Sequence, residues 1–176
     1  MKSGRPLDSE FASYAKADID YVAGDDAIGV IETQGREVVA LLESLDEGAL
    51  AGFRYAPGKW TVKEVVGHLI DDERIFAYRA LCVARKDAKP LPGFDENDYV
   101  AATDFESRSL ASLIAEYRIV RAATIALFQP LTDAEWQRRG MVNGYEASVR
   151  GLAFHVAGHE LHHLRTLREK YGVSYG

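Results

Sequence analysis

Apolar residues recur along this chain at intervals of three and four, the spacing that lines one face of a helix. Ile28, Ile31, Gly35, Val38, Val39, Leu42 and Leu45 make the first such face. A loop over 48–59, punctuated by Pro57-Gly58, ends it. Thr61-Val-Lys-Glu64 is a capping box, in which the threonine hydroxyl accepts from the Glu64 amide and the glutamate reaches back to the Thr61 amide. That box predicts a second helix running to about Arg85. Pro90 and Pro92 break the pattern, and 90–98 reads as an ordered loop with one helical turn. Leu110, Leu113, Ile114, Tyr117, Arg121, Thr124 and Leu127 mark a third helix that stops before Pro130. Thr132-Asp-Ala-Glu135 is a second capping box, for a short helix ending near Gly140, and Asn143-Gly144 is a turn dipeptide. Ser148 caps a last helix that reaches Tyr171, with Gly172 at its end. No stretch alternates with period two for long enough to predict a strand. The pattern therefore predicts an all-α fold, an antiparallel four-helix bundle with short additional helices.

Charge narrows the function classes. The net charge of −6 opposes a phosphate-tracking surface, because nucleic-acid binders draw most of their affinity from neutralising phosphates. No nucleic-acid partner is expected. Cys82 is the sole cysteine, so an intrachain disulfide and a cysteine-based zinc site are both excluded. Its neighbours Leu81 and Val83 suggest a buried thiol acting as a small hydrophobe. The first twenty residues are polar and acidic, and the apolar runs are far short of the roughly twenty residues of a membrane span. The expectation is a cytoplasmic protein with no membrane partner.

Four of the five histidines, His155, His159, His162 and His163, crowd the last helix. Residues four apart on a helix sit one above the other, so His159 and His163 can face one ion. At about 100° per residue, His159 and His163 fall inside or beside the arc of Val149, Leu152, Val156 and Leu167. His155 and His162 fall towards the rim. A transition ion needs at least a third protein ligand, and His68 on the second helix is the one histidine left. There Val62, Val65, Leu69, Phe76 and Val83 define the buried face, with His68 on its edge and Asp72 within it. A carboxylate at such a position needs a partner. An imidazole that ligates metal through its other nitrogen would serve, and Asp72 is expected in that supporting role. Direct ligation, or pairing with Arg79 or Arg121, are the alternatives.

His159-Glu-Leu-His-His163 also spells H-E-x-x-H, the motif in which a glutamate serves zinc proteases as general base. Its context is missing. Zinc proteases place the third ligand downstream, and no histidine follows His163. Glu160 beside a metal-bound water is a catalytic candidate.

Two segments together resemble the DinB-like family of metal-binding four-helix bundles. One is Tyr55-Ala-Pro-Gly-Lys-Trp-Thr-Val-Lys-Glu-Val-Val-Gly-His68-Leu-Ile-Asp-Asp-Glu73, entering the second helix. The other is Ser148-Val-Arg-Gly-Leu-Ala-Phe-His155-Val-Ala-Gly-His159-Glu-Leu-His-His163 in the last. The resemblance spans the chain after about Asp25. It implies His68, His159 and His163 as metal ligands, nickel or zinc as the ion, and in some relatives a low-molecular-weight thiol as co-substrate. It leaves 1–24 as a loosely held N-terminal arm beside a bundle domain over 25–176. The reading at this level is a metal-dependent enzyme acting on a small molecule by thiol transfer or hydrolysis, with a homodimer possible. The rival reading is a non-catalytic, metal-stabilised bundle serving as an interaction module.

Overall fold

The computed structural model describes residues 3–49 and 52–173. Four long helices form the body: α2 (Ala27–Glu43), α3 (Val62–Ala84), α5 (Leu110–Phe128) and α7 (Val149–Tyr171). Short helices α1 (Lys16–Tyr21), α4 (Glu96–Ala101) and α6 (Asp133–Trp136) decorate it. The expected start signals act as anticipated. Thr61 accepts from the Glu64 amide and Glu64 returns to the Thr61 amide, and Thr132 and Glu135 repeat the pattern at α6. Ser148 accepts from the Gly151 amide, and Gly172 ends α7 at a φ of 68°, a left-handed conformation that costs glycine little.

One element departs from the sequence expectation. The helix begun at Thr132 does not continue to Gly140 but ends at Trp136, and the chain turns into a hairpin of β1 (Arg139–Val142) and β2 (Tyr145–Ser148). Arg139 pairs with Ser148 and Val142 with Tyr145. Asn143 and Gly144 both have positive φ, 51° and 79°, the backbone a two-residue hairpin turn requires. Strands of four residues are too short for alternation to show, so the turn dipeptide was the usable signal. Leu91 donates to the Met141 carbonyl and accepts from the Asn143 amide, which ties the proline-flanked loop to the hairpin.

Helix α3 packs on α5 and α7, and α2 packs on the same two helices. Helices α2 and α3, consecutive in the chain, thus occupy opposite corners of the bundle. Lys63 reaches the Arg108 carbonyl while Glu73 reaches Arg121, so α3 and α5 run in the same direction. The long connection through α4 returns the chain to the end where α3 began. Helices α3 and α7 are antiparallel, with His68 near His163 and Phe76 near His155.

Apolar side chains fill the interior in two clusters. One holds Ile19, Ile31, Phe76, Phe128, Trp136 and Phe154; the other holds Leu41, Leu42, Ile70, Leu113, Leu164 and Leu167. Between α2, α3, α5 and α7 sits a buried polar knot. Arg121 of α5 donates to the Ile31 carbonyl, to Glu73 at 2.8 Å and to Glu160 at 2.6 Å, while the Tyr117 hydroxyl donates to Glu160 at 2.5 Å. One guanidinium thereby touches all four long helices.

The N-terminal segment is not a loose arm. Phe11, Ala15, Ile19 and Val22 are buried in the first cluster, and the buried Glu10 carboxylate takes Arg150 of α7 at 2.6 Å. Gly151 and Gly158, seven apart on α7, leave room for this approach. A Cβ at Gly151 would meet the Glu10 carbonyl, and one at Gly158 the Asp18 carbonyl. Among the described residues, no helix is long and apolar enough to cross a membrane.

Candidate metal centre

Helix α3 contributes His68 from its second turn, and α7 contributes His159 and His163 one turn apart. Their rings converge. His68 Nε2 lies 3.2 Å from His159 Nε2, which lies 3.1 Å from His163 Nε2. One ligand atom from each residue falls within 4.8 Å of the others. Nitrogens about 2.0–2.1 Å from a tetrahedral ion stand about 3.3–3.4 Å apart, so these separations are close to those of a shared ion.

Burial prepares the donors. Desolvation lowers the His68 pKa to about 4 and the His163 pKa to about 3. Desolvation, then the neighbouring imidazoles His163 and His68, pushes the His159 pKa well below the ordinary imidazole value. All three are neutral at physiological pH, the form in which an imidazole can bind metal. Asp72, one turn after His68, places Oδ2 3.2 Å from His159 Nδ1. Burial raises this carboxyl to about 8, only partly opposed by Arg79. Both partners are driven towards neutrality, so the contact is a hydrogen bond rather than an ion pair. It fixes the His159 ring and leaves Nε2 facing the other two histidines. The donor set, its neutral state and the support behind His159 all fit a divalent ion.

The histidines line a cavity of about 410 Å³ whose wall also includes Tyr14, Trp60, Asp72, Phe76, Arg79, Phe94, Asn143 and His155. Trp60 lies 4.8 Å from the His68 ring and stacks on His163 with an interplanar angle of 17°. His155 corrects the sequence reading. Far from the rim, it is 7% exposed, with Phe76 edge-on at 4.3 Å and Tyr14 at 6.0 Å. Spacing at about 100° per residue placed that face towards the rim because it left out the N-terminal segment, whose Tyr14 covers it. His162 does sit at the rim, exposed on the cavity edge and 3.3 Å from Asp18.

Glu160 is elsewhere. It is 2% exposed and held by Arg121 and Tyr117 in the bundle centre, and it does not line this cavity. The H-E-x-x-H spelling is met by two histidines on one side of α7 and a glutamate turned into the core. Sequence reasoning did not place Trp60, Tyr14, Asn143 or Arg79 in a site. Arg79 had a usable signal, since His68, Asp72, Phe76 and Arg79 follow one stripe of α3 at spacings of four, four and three.

A helical bundle with three convergent histidines on two helices is a metal-site architecture, and comparison with known proteins places it. The DinB superfamily model matches residues 31–167, and the chain belongs to that family. A Bacillus licheniformis protein, provisionally named a metal-dependent hydrolase, is 24% identical over 123 residues, covering 67% of this chain and 70% of the relative. YfiT from Bacillus subtilis, described as a probable metal-dependent hydrolase with an unusual four-helix bundle topology, superposes with a TM-score of 0.73 at 19% identity. That match covers 96% of this chain and 94% of YfiT. At that identity the likeness concerns the fold, and it extends to the N-terminal segment that the family model leaves out.

Proposed function

We propose that this protein is a metal-dependent hydrolase of a small molecule, with His68, His159 and His163 as ligands to a zinc- or nickel-type ion. The observation that carries the reading is the opening of the three-histidine cluster into the cavity. A structural ion is closed by four protein ligands, whereas a catalytic one keeps a position for water or substrate. Among the described residues no fourth histidine, cysteine or carboxylate joins the cluster. Asp72 is engaged behind His159, and His155 is packed against Phe76. The interaction-module reading loses ground on that count, and the names carried by the relatives favour hydrolysis over thiol transfer.

When bound, such an ion supplies Lewis acidity and lowers the pKa of coordinated water to about 7. The chain's own residues do the rest. Asp72 accepts from His159 Nδ1 and orients that ring, and a dication beside it would favour the ionised carboxylate and so gain a counter-charge. Trp60, stacked on His163, shields one side of the cluster from water, while Phe76 and Phe94 give the cavity apolar walls. Glu160 takes a structural role in the Arg121 knot.

The test is metal analysis of the purified protein, followed by a hydrolase screen with small esters, amides and lactones, each with and without chelator and with and without a small thiol. Hydrolysis that chelator removes, zinc or nickel restores and His159→Ala abolishes is the expected result. Absence of metal uptake would overturn the proposal, and turnover only in the presence of thiol would turn it to transfer.

A further inference from the structure

Across the cavity from the histidines lies a buried cation that the metal chemistry does not use. Arg79 is 3% exposed. Its Nη2 donates to the Pro92 carbonyl at 2.7 Å, and its guanidinium carbon lies 4.9 Å from the Phe76 ring centre and 5.5 Å from that of Phe94. Among the described residues no carboxylate comes within 4 Å of it. Asp72, the acid nearest to it along the cavity stripe of α3, is committed to His159. Holding a guanidinium out of water without a contacting anion is costly, and desolvation outweighs the more distant support that Asp72 gives its charge. Two aromatic faces and one carbonyl hold it in place and leave its remaining donors for the cavity, which it lines together with Asn143.

The geometry points to Arg79 as the anchor for a carboxylate on the substrate, whose hydrolysable bond then lies towards the histidine cluster. A planar guanidinium matches a planar carboxylate through two parallel hydrogen bonds. A phosphate dianion fits less well, since one cation faces it while Glu96 and Asp18 line the same cavity. His68 and Arg79 are three turns apart on α3, about 16 Å of helix. The molecule must therefore carry its charged and reacting groups at separate ends. This assignment rests on the hydrolase reading for the reacting end alone; the anion end stands on Arg79.

Two titrations test it. Zinc-loaded protein is titrated calorimetrically with suberic acid monohydroxamate, whose hydroxamate seeks the metal and whose chain is long enough to bring its carboxylate to Arg79, and with the corresponding uncharged amide. Wild type is expected to bind the carboxylate at least tenfold tighter than the amide. The ratio should collapse towards one in Arg79→Gln and return in part in Arg79→Lys, with zinc content unchanged in both. Equal binding of the two probes by wild type, or a ratio that survives Arg79→Gln, overturns the assignment and leaves the metal site standing. Metal-free protein with glutarate provides an arm independent of zinc. A thermal shift in wild type that Arg79→Gln loses is expected, and the same shift in both overturns the assignment even if no zinc binds.

Discussion

Asp72 and His159 meet across the seam between α3 and α7, with the carboxylate 3.2 Å from Nδ1 while Nε2 faces His68 and His163. Two helices remote in the chain are thus coupled where the three histidines converge. The contact gives the first prediction. Asp72→Asn keeps the shape but cannot ionise when a dication binds, so zinc affinity should fall about 10–100-fold. Competition against a chromophoric chelator measures this.

Ligand removal should be graded by position. His68→Ala, His159→Ala and His163→Ala should each lose most of the bound metal, and the triple variant should lose all of it. His162→Ala should bind as wild type, because that ring is exposed and faces Asp18. Plasma mass spectrometry of dialysed protein gives the stoichiometry, and full metal retention in the triple variant would refute the site.

Acid should destabilise the metal-free protein through its buried histidines. His155 has a pKa of about 4 when folded, against an ordinary 6.5, because burial disfavours its charge. Its lowered folded value means that the unfolded chain binds the proton first. Its stabilising contribution is complete above about 6.5 and is lost as pH falls from there through about 4, an effect of up to about 3 kcal/mol. His155→Gln should flatten the loss of stability between pH 7 and pH 4.5 in urea denaturation of chelator-treated protein. An unchanged slope would show that His155 does not stay neutral in the fold. The same depression in His68 and His163 implies metal retention at lower pH than a solution imidazole would permit.

The Arg121 knot should matter to stability rather than to chemistry. Arg121→Ala leaves Glu73 and Glu160 facing each other in the core without a cation, a loss of about 3–5 kcal/mol. Replacing all three charges together by Met or Leu should recover much of that loss. Glu160→Gln should shift the melting temperature while leaving metal stoichiometry intact. If it instead abolished activity at full stability and metal content, the placement of Glu160 away from the reaction would be wrong.

The N-terminal segment offers a fifth measurement. Gly158→Ala pushes a methyl group into the Asp18 carbonyl and should displace α1 from α7 without touching a ligand. Increased proteolysis before Asp25 and a lowered melting temperature are expected. An unaffected protein would mean that the segment does not dock there.

Sequence alone determined the four long helices and the identity of the convergent side chains. Periods of three and four, capping boxes at Thr61 and Thr132 and the glycine at 172 are local signals, because hydrogen bonds within a helix and its caps join residues close in the chain. The spacing of His159 and His163 is likewise a property of one helix, and the paired segments around His68 and His163 carried the family. The tertiary structure decided the rest. Which helices are neighbours depends on how four apolar faces combine, and no local pattern states that α2 and α3 sit at opposite corners. Glu160 reads as a base beside two histidines, yet it faces Arg121 because a helix turns adjacent residues about 100° apart and only packing says which direction is core. His155 reads as rim until the N-terminal segment covers it. Arg79 became a site residue only when Phe76, Phe94 and Pro92 closed around it, a contact among residues on two elements that the chain brings together by folding.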